Sequence, residues 1–202
     1  KFGVPYRSCG PANIWASIPD ALISAANYLA EEGLNEGDCL IKNPYLETDI
    51  DYSWDGINYA AEGTVWAERG LKIEDAKDGE KYFCVSPTGR HGPRILFGGQ
   101  ALALYQYNRS TNYVLAVSKL ATMIDGGYVD WSWDRTARPL GRSEIADLQS
   151  VLTYLGYNAG ASDGIIGPDT ARAVMKAQTG LGIEADGYPD LELLARLKTL
   201  KD

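Results

Sequence analysis

Apolar positions along the chain recur at two periods. Between Ser17 and Ala30, Leu22, Ala25, Ala26 and Leu29 fall at helical spacing; Pro19 suits a first turn, Asp20 the positive end and Gly33 the stop. Residues 38–100 change character. Short β-prone runs at 39–42, 81–85 and 95–97, separated by Gly, Pro, Asn and Asp, predict a small antiparallel sheet, with a short helix at 63–69 ended by Gly70. Beyond Gly98-Gly99 a helical stretch at 101–105 leads through 107–113 into a second helix capped by Ser110. Its Val114, Val117, Leu120, Ala121 and Ile124 are expected on the inner face. Residues 126–141 follow neither period and read as a linker that packs lightly on a neighbour. Three short helices are expected after it. The first is capped by Ser143, carries Ile145, Leu148, Leu152 and Leu155 on one face and stops at Gly156; the second begins near Pro168 and ends near Gln178; Leu191, Leu194 and Leu197 line the third. The loops before the second and third use one device, Asp163-Gly164 and Asp186-Gly187. The pattern predicts an α+β domain over 1–125, a linker over 126–141 and a three-helix domain over 142–202, the last small enough to be marginal alone.

Composition narrows the chemistry. The 202 residues are 45% hydrophobic and 23% charged, which excludes disorder, collagen and coiled coil, and no apolar run approaches the ~18 residues of a membrane span. Lys1 with no basic-then-apolar leader reads as a processed or trimmed chain. A net charge of -8, with neither half basic, argues against nucleic acid as a partner. Cys9, Cys39 and Cys84 are too widely spaced for a zinc or redox motif. In an exported protein they suggest a Cys39–Cys84 bridge between two strand-like runs, and three buried thiols are the alternative. A single histidine, His91 in the turn-like stretch 87–93, restricts any Ser/His/Asp or Cys/His arrangement to that residue. The carboxylates of Asp49-Ile-Asp-Tyr-Ser-Trp-Asp-Gly56 lack the spacing of a calcium loop, with Ala60 where its closing glutamate belongs, and read as a solvated loop. Neither a metal nor a cofactor is expected.

From Ile145 to Leu197 the chain resembles the peptidoglycan-binding module of cell-wall enzymes. The matching positions are Leu148-Gln149, Gly156-Tyr157, Asp163-Gly164, Gly167, Thr170, Ala173, Gln178 and Asp186-Gly187. Most of that motif specifies fold, because the glycines permit positive backbone angles and the aspartates accept amide hydrogens inside their loops. The resemblance implies peptidoglycan as partner and makes Tyr157, Asp163, Gly164, Gln178 and Asp186 the positions to follow.

The preceding residues look like the rear part of a lytic murein transglycosylase of the membrane-bound B type, a lysozyme-like family of the bacterial cell envelope or periplasm. Three segments carry that resemblance: Asn13-Ile-Trp through Leu29, Arg90-His-Gly-Pro-Arg-Ile-Leu-Phe97, and Tyr105-Gln-Tyr-Asn-Arg-Ser-Thr-Asn-Tyr-Val-Leu-Ala-Val117. The family cleaves the MurNAc-GlcNAc bond to 1,6-anhydro products. It places Tyr107, Asn108 and Tyr113 beside the sugar, where a hydroxyl and an amide orient the reacting ring. The family's catalytic glutamate lies in a Glu-Thr-x-x-Gly-like segment that this sequence does not contain, and an acidic stretch before Asn13 in relatives is replaced by residues 6–12, which lack carboxylates. Glu62 and Glu68 flank Trp66, but they lie in the expected β-rich lobe. The catalytic residue is thus unassigned, and two readings stay open. One is the C-terminal portion of a transglycosylase whose catalytic segment lies upstream or in a second chain; the other is a non-catalytic wall-binding relative.

Overall fold

The computed structural model describes residues 2–7, 10–35, 40–42, 45–46, 51–131, 133 and 138–201. Cys9 and Cys39 lie outside them, and so does the expected Cys39–Cys84 bridge; Cys84 itself is buried. The chain divides into two compact units. The first comprises Lys1–Thr48, Gly56–Val85 and Ile95–Val129; the second comprises Asp49–Asp55, Ser86–Arg94 and Asp130–Asp202. Two loops that the sequence assigns to the first domain therefore belong with the three-helix part.

In the first unit, helix α1 (Ile18–Glu31) starts as expected, with Ser17 accepting the Asp20 N–H and a proline in the first turn. Asp20 also accepts the main-chain N–H groups of Tyr6 at 2.9 Å and Asn13 at 2.8 Å, fixing the segment that precedes the helix. Those two amide bonds, chiefly that from Tyr6, hold its carboxyl below the usual range. Strands β1 (Ile41–Lys42), β3 (Ala61–Glu62), β5 (Lys81–Val85) and β6 (Ile95–Phe97) form an antiparallel sheet in the order β1-β6-β5-β3. β2 (Tyr45–Leu46) pairs with β4 (Leu71–Lys72), and helix α2 (Gly63–Glu68) lies between β3 and β4 in the chain. β6 is buried along its whole length, and Phe83 stacks on its cross-strand partner Phe97 with centroids 5.1 Å apart. Trp66 is fully buried and donates Nε1–H to the Tyr82 carbonyl at 2.8 Å, which satisfies its one polar group.

Helices α3 (Ala101–Tyr107) and α4 (Thr111–Ile124) complete the unit. The inner face of α4 differs from the expected one. Val114 and Ser118, one turn apart, are buried, whereas Leu120, Ala121 and Ile124 are exposed. On α1, likewise, Ser24 is buried and Leu22 is exposed. A helical period says which positions share a face; packing decides which face turns inward.

In the second unit, α5 (Arg142–Tyr154), α6 (Pro168–Gly180) and α7 (Leu191–Thr199) enclose a core of Leu148, Leu152, Val174, Ala177, Leu193 and Leu197. The cap of α5 is Gly141 rather than Ser143, and Glu144 Oε2 accepts the Gly141 N–H at 2.7 Å. A carboxylate in the first turn satisfies an orphan amide and complements the helix dipole better than a hydroxyl there. In the linker, Trp131 meets Trp133 edge-on and Leu140 joins the helical core. Asp55 corrects the reading of residues 49–56 as a solvated loop: its carboxylate is largely buried, 3.3 Å from Arg94 Nε, and the Arg94 guanidinium lies 3.9 Å over the Tyr52 ring.

Candidate functional site

Tyr107, Asn108 and Tyr113 meet at the corner between α3 and α4. Tyr107 ends α3; Asn108 is extended, donates its N–H to the Leu104 carbonyl and accepts the Ser110 N–H at 2.6 Å. Ser110 then caps α4 by accepting the Tyr113 N–H at 3.3 Å, as the sequence predicts. This four-residue turn stacks the Tyr107 and Tyr113 rings, 6.0 Å apart and inclined 22°. Tyr107 is half exposed, and the Asn108 side chain is exposed.

Tyr28 of α1 joins them, a residue to which no sequence motif points. Its ring meets Tyr107 edge-on at 5.6 Å and Phe2 at 4.7 Å, making a row of four aromatics. Each such pair contributes about 0.5–1.5 kcal/mol beyond burial, so the row holds in one place a Tyr107 that stays half exposed. Desolvation raises the Tyr28 phenol first, with Glu32 adding to it, and desolvation also raises Tyr113. Both hydroxyls therefore stay protonated at neutral pH and serve as neutral donors and acceptors.

A proton donor for glycosidic cleavage is a different requirement. Glu62 and Glu68 are exposed, and the fully buried Trp66 between them gives neither an apolar pocket. Asp55 has its carboxyl raised by burial, against the pull of Arg94, but it is held in that ion pair. His91 contacts Asp190 at 3.2 Å and the Tyr188 ring, so it is a structural partner rather than half of a nucleophile pair. Among the described residues no group of three His, Cys, Asp or Glu converges as metal ligands.

In the three-helix unit the motif residues form two copies of one network. Gln149 is buried; its Nε2 donates to Asp163 Oδ1 at 3.3 Å and to the Ile165 carbonyl at 3.0 Å, and its Oε1 accepts the Gly164 N–H at 2.9 Å. Asp163 Oδ1 also accepts the Ile165 N–H at 2.9 Å. Gln178 repeats these four bonds, though not the further one from Gln149 Nε2 to Thr170 Oγ1 at 3.1 Å: Nε2 to Asp186 Oδ1 at 2.6 Å and to the Tyr188 carbonyl at 3.3 Å, Oε1 to the Gly187 N–H at 2.9 Å, and Asp186 Oδ1 to the Tyr188 N–H at 2.9 Å. Of the five positions followed from the sequence, Gly164, Gln178 and Asp186 are buried, Tyr157 packs partly buried against the helical core, and Asp163 is exposed.

The second copy has an attachment that nothing local in the sequence announces. Asp186, whose side chain has no exposed surface, accepts the Arg90 main-chain N–H at 2.9 Å and faces its guanidinium at 3.3 Å; Asp190 takes the other guanidinium nitrogen at 2.8 Å. The partners lie 96 and 100 residues apart in the chain.

Arg138 pairs with Glu144 in two short bonds, and with the Gly141 amide it holds that carboxyl down at about 2. Such a depressed carboxyl adds stability above its unfolded value near 4.5, and that contribution is lost as pH falls toward 2. NMR titration of the side-chain carboxyl is expected to give a midpoint well under 4; an ordinary midpoint would show the pair to be broken in solution.

The transglycosylase SLT domain family model matches residues 1–122, and the peptidoglycan binding domain model matches residues 141–197. The chain belongs to the SLT transglycosylase family and carries a peptidoglycan-binding domain at its C-terminal side. Among solved structures it is similar to SltB3 of Pseudomonas aeruginosa in complex with NAG-anhNAM-pentapeptide, at 34% identity and a TM-score of 0.86, covering 98% of this chain and 54% of that one. A second SltB3 structure, in complex with NAG-NAM-pentapeptide, matches at the same identity and TM-score over 97% of this chain. The SltB1 lytic transglycosylase of the same organism shares the fold over 62% of this chain at 24% identity, with a TM-score of 0.53. No curated protein sequence matches. The chain thus spans about half the length of the SltB3 structures it resembles. Among the described residues no helix is long and apolar enough to cross a membrane.

Proposed function

We propose that this chain is the peptidoglycan-binding C-terminal portion of a lytic murein transglycosylase of the periplasm or cell envelope. The likeness to SltB3 with a bound anhydro-muropeptide, spread over both the transglycosylase and the binding segments, carries this reading. In it the three-helix unit holds the wall polymer, and Tyr107, Asn108 and Tyr113 form part of the sugar cleft. The Tyr107 hydroxyl and the Asn108 amide hold the reacting sugar and its N-acetyl group by neutral hydrogen bonds. A carboxyl supplied by a Glu-Thr-x-x-Gly segment, upstream or in a second chain, protonates the leaving oxygen and then takes the C6 hydroxyl proton, so that the sugar closes on itself as the 1,6-anhydro product. A second reading, a non-catalytic wall-binding relative, is favoured by residues 6–12, where relatives carry an acidic stretch and this chain carries no carboxylate.

Both readings require wall binding. The 202-residue chain is expected to sediment with purified sacculi and to stay in solution without them, while a chain stopped at residue 140 stays in solution in both cases. Equal sedimentation of the two chains with sacculi would overturn the assignment of binding to the helical unit.

A further inference from the structure

The glutamine-aspartate-glycine network occurs twice in the three-helix unit, and one copy already has an occupant. At the second copy the oxygen not used by the network, Asp186 Oδ2, receives the Arg90 amide and guanidinium, and Tyr188, two residues after the aspartate, meets the His91 ring at 6.2 Å. The loop Ser86–Arg94 sits there as a ligand would: one amide N–H, one cation and an adjoining side chain against the residue at position +2.

The first copy presents the same elements with no occupant among the described residues. Asp163 is exposed, its Oδ1 is committed to the network, and among the described residues no other residue donates to its Oδ2. Ile165 stands where Tyr188 stands and is 59% exposed, with Ile166 exposed beside it. Arg142, the neighbouring cation, gives its Nε to the Asp163 main-chain carbonyl at 3.2 Å and not to the carboxylate. Where the occupied copy adds a second carboxylate, Asp190 at the cap of α7, the open copy has Gly167 at the cap of α6, so its hold on a ligand is weaker and reversible.

We propose that Asp163 Oδ2, with Ile165 beside it, is a docking point for the peptide stems of peptidoglycan. It accepts a stem amide N–H and a free ammonium group as Asp186 accepts those of Arg90. The inference rests on the wall-binding reading above and names the part of the polymer that is held. The chemistry favours peptide over glycan: a stem ammonium brings an opposite charge to the carboxylate and makes an ion pair with it, whereas a sugar hydroxyl carries no charge of its own, and a branched aliphatic gives a sugar ring no flat face on which to stack. Low intrinsic affinity suits a ligand repeated along a polymer, where neighbouring stems raise the effective concentration.

The test uses the full chain with a soluble muramyl peptide that carries a diamino acid with a free side-chain amine. Asp163→Asn, which keeps an acceptor at Oδ1, is expected to weaken binding about tenfold, a charge-assisted bond's share. N-acetylating the ligand amine gives a loss of similar size, and the two losses do not add. Ile165→Lys, a change at an exposed side chain outside the network, produces the same loss by placing a like charge beside the ammonium. Unchanged binding by both variants overturns the proposal. So does equal affinity for glycan strands stripped of their peptides and for intact ones. Sacculus binding that ignores Asp163 and the stems overturns this inference alone, whereas no binding to sacculi overturns the wall-binding reading with it.

Discussion

Gly164→Ala is expected to destabilise the three-helix unit by about 2–6 kcal/mol, enough to unfold a domain of that size under mild denaturant. Two costs combine. Gly164 has φ +75°, a region that a residue with a Cβ occupies at about 1–3 kcal/mol. A Cβ there would also collide with the Arg142 carbonyl and side chain, and overpacking costs about 1–3 kcal/mol more. The Gly164 N–H is one of the bonds that satisfy the buried Gln149 amide, so a shift of the loop leaves a polar group unpaired in the core. Urea unfolding followed by far-ultraviolet circular dichroism measures the effect; a loss under about 1 kcal/mol would mean that the loop relaxes freely. Gly156→Ala provides the comparison, because its φ is also positive, at +88°, but a Cβ there meets nothing within 4 Å. Backbone strain alone should then cost it the smaller share.

That contrast marks what was legible in the sequence. Asp163-Gly164 and Asp186-Gly187 announce their loops because the chemistry is local: an aspartate accepts an amide two residues on, and glycine takes the backbone angle that results. Ser110 as a cap and the runs 81–85 and 95–97 as paired strands were readable for the same reason. The α4 face was not. Val114 begins the buried stripe, but the next turn inward is Ser118, a polar residue, while the larger Leu120 and Ile124 face out. Ranking positions by hydrophobicity inverts such a helix. Distance in sequence hid the rest. Nothing near Asp186 predicts Arg90, nothing near Asp55 predicts Arg94, and Tyr28 reaches Tyr107 across most of the first unit's sequence. The aromatic pair at Tyr107 and Tyr113 could be placed from its motif; the ring that braces it could be found only once α1 and α3 lay in the same unit.

The 202-residue chain by itself is expected to release no 1,6-anhydromuramoyl products from sacculi, although it belongs to a transglycosylase family. Cleavage needs a protonated carboxyl within ~3 Å of the glycosidic oxygen, and general acid–base catalysis is typically worth ~10²–10⁴-fold. The carboxyls that this chain offers fail in different ways. Glu62 and Glu68 are exposed, and Asp55, which burial does raise, is engaged by Arg94. Residues that only orient the sugar cannot replace a donor, so binding and turnover should separate. If a second chain carrying the Glu-Thr-x-x-Gly segment restores product formation, Tyr107→Phe or Asn108→Ala should then slow turnover by roughly the worth of one hydrogen bond, about three- to tenfold. Sedimentation with sacculi should stay unchanged in those variants if the helical unit holds the wall as proposed. Restoration in this way decides for the transglycosylase reading; no product from the segment either as a second chain or joined upstream of residue 1 decides for the non-catalytic one. Chromatography of digested sacculi reads every arm. Anhydro-products from the lone chain, abolished by Asp55→Asn, Glu62→Gln or Glu68→Gln, would place the catalytic acid inside these 202 residues and overturn the assignment of the donor to another segment.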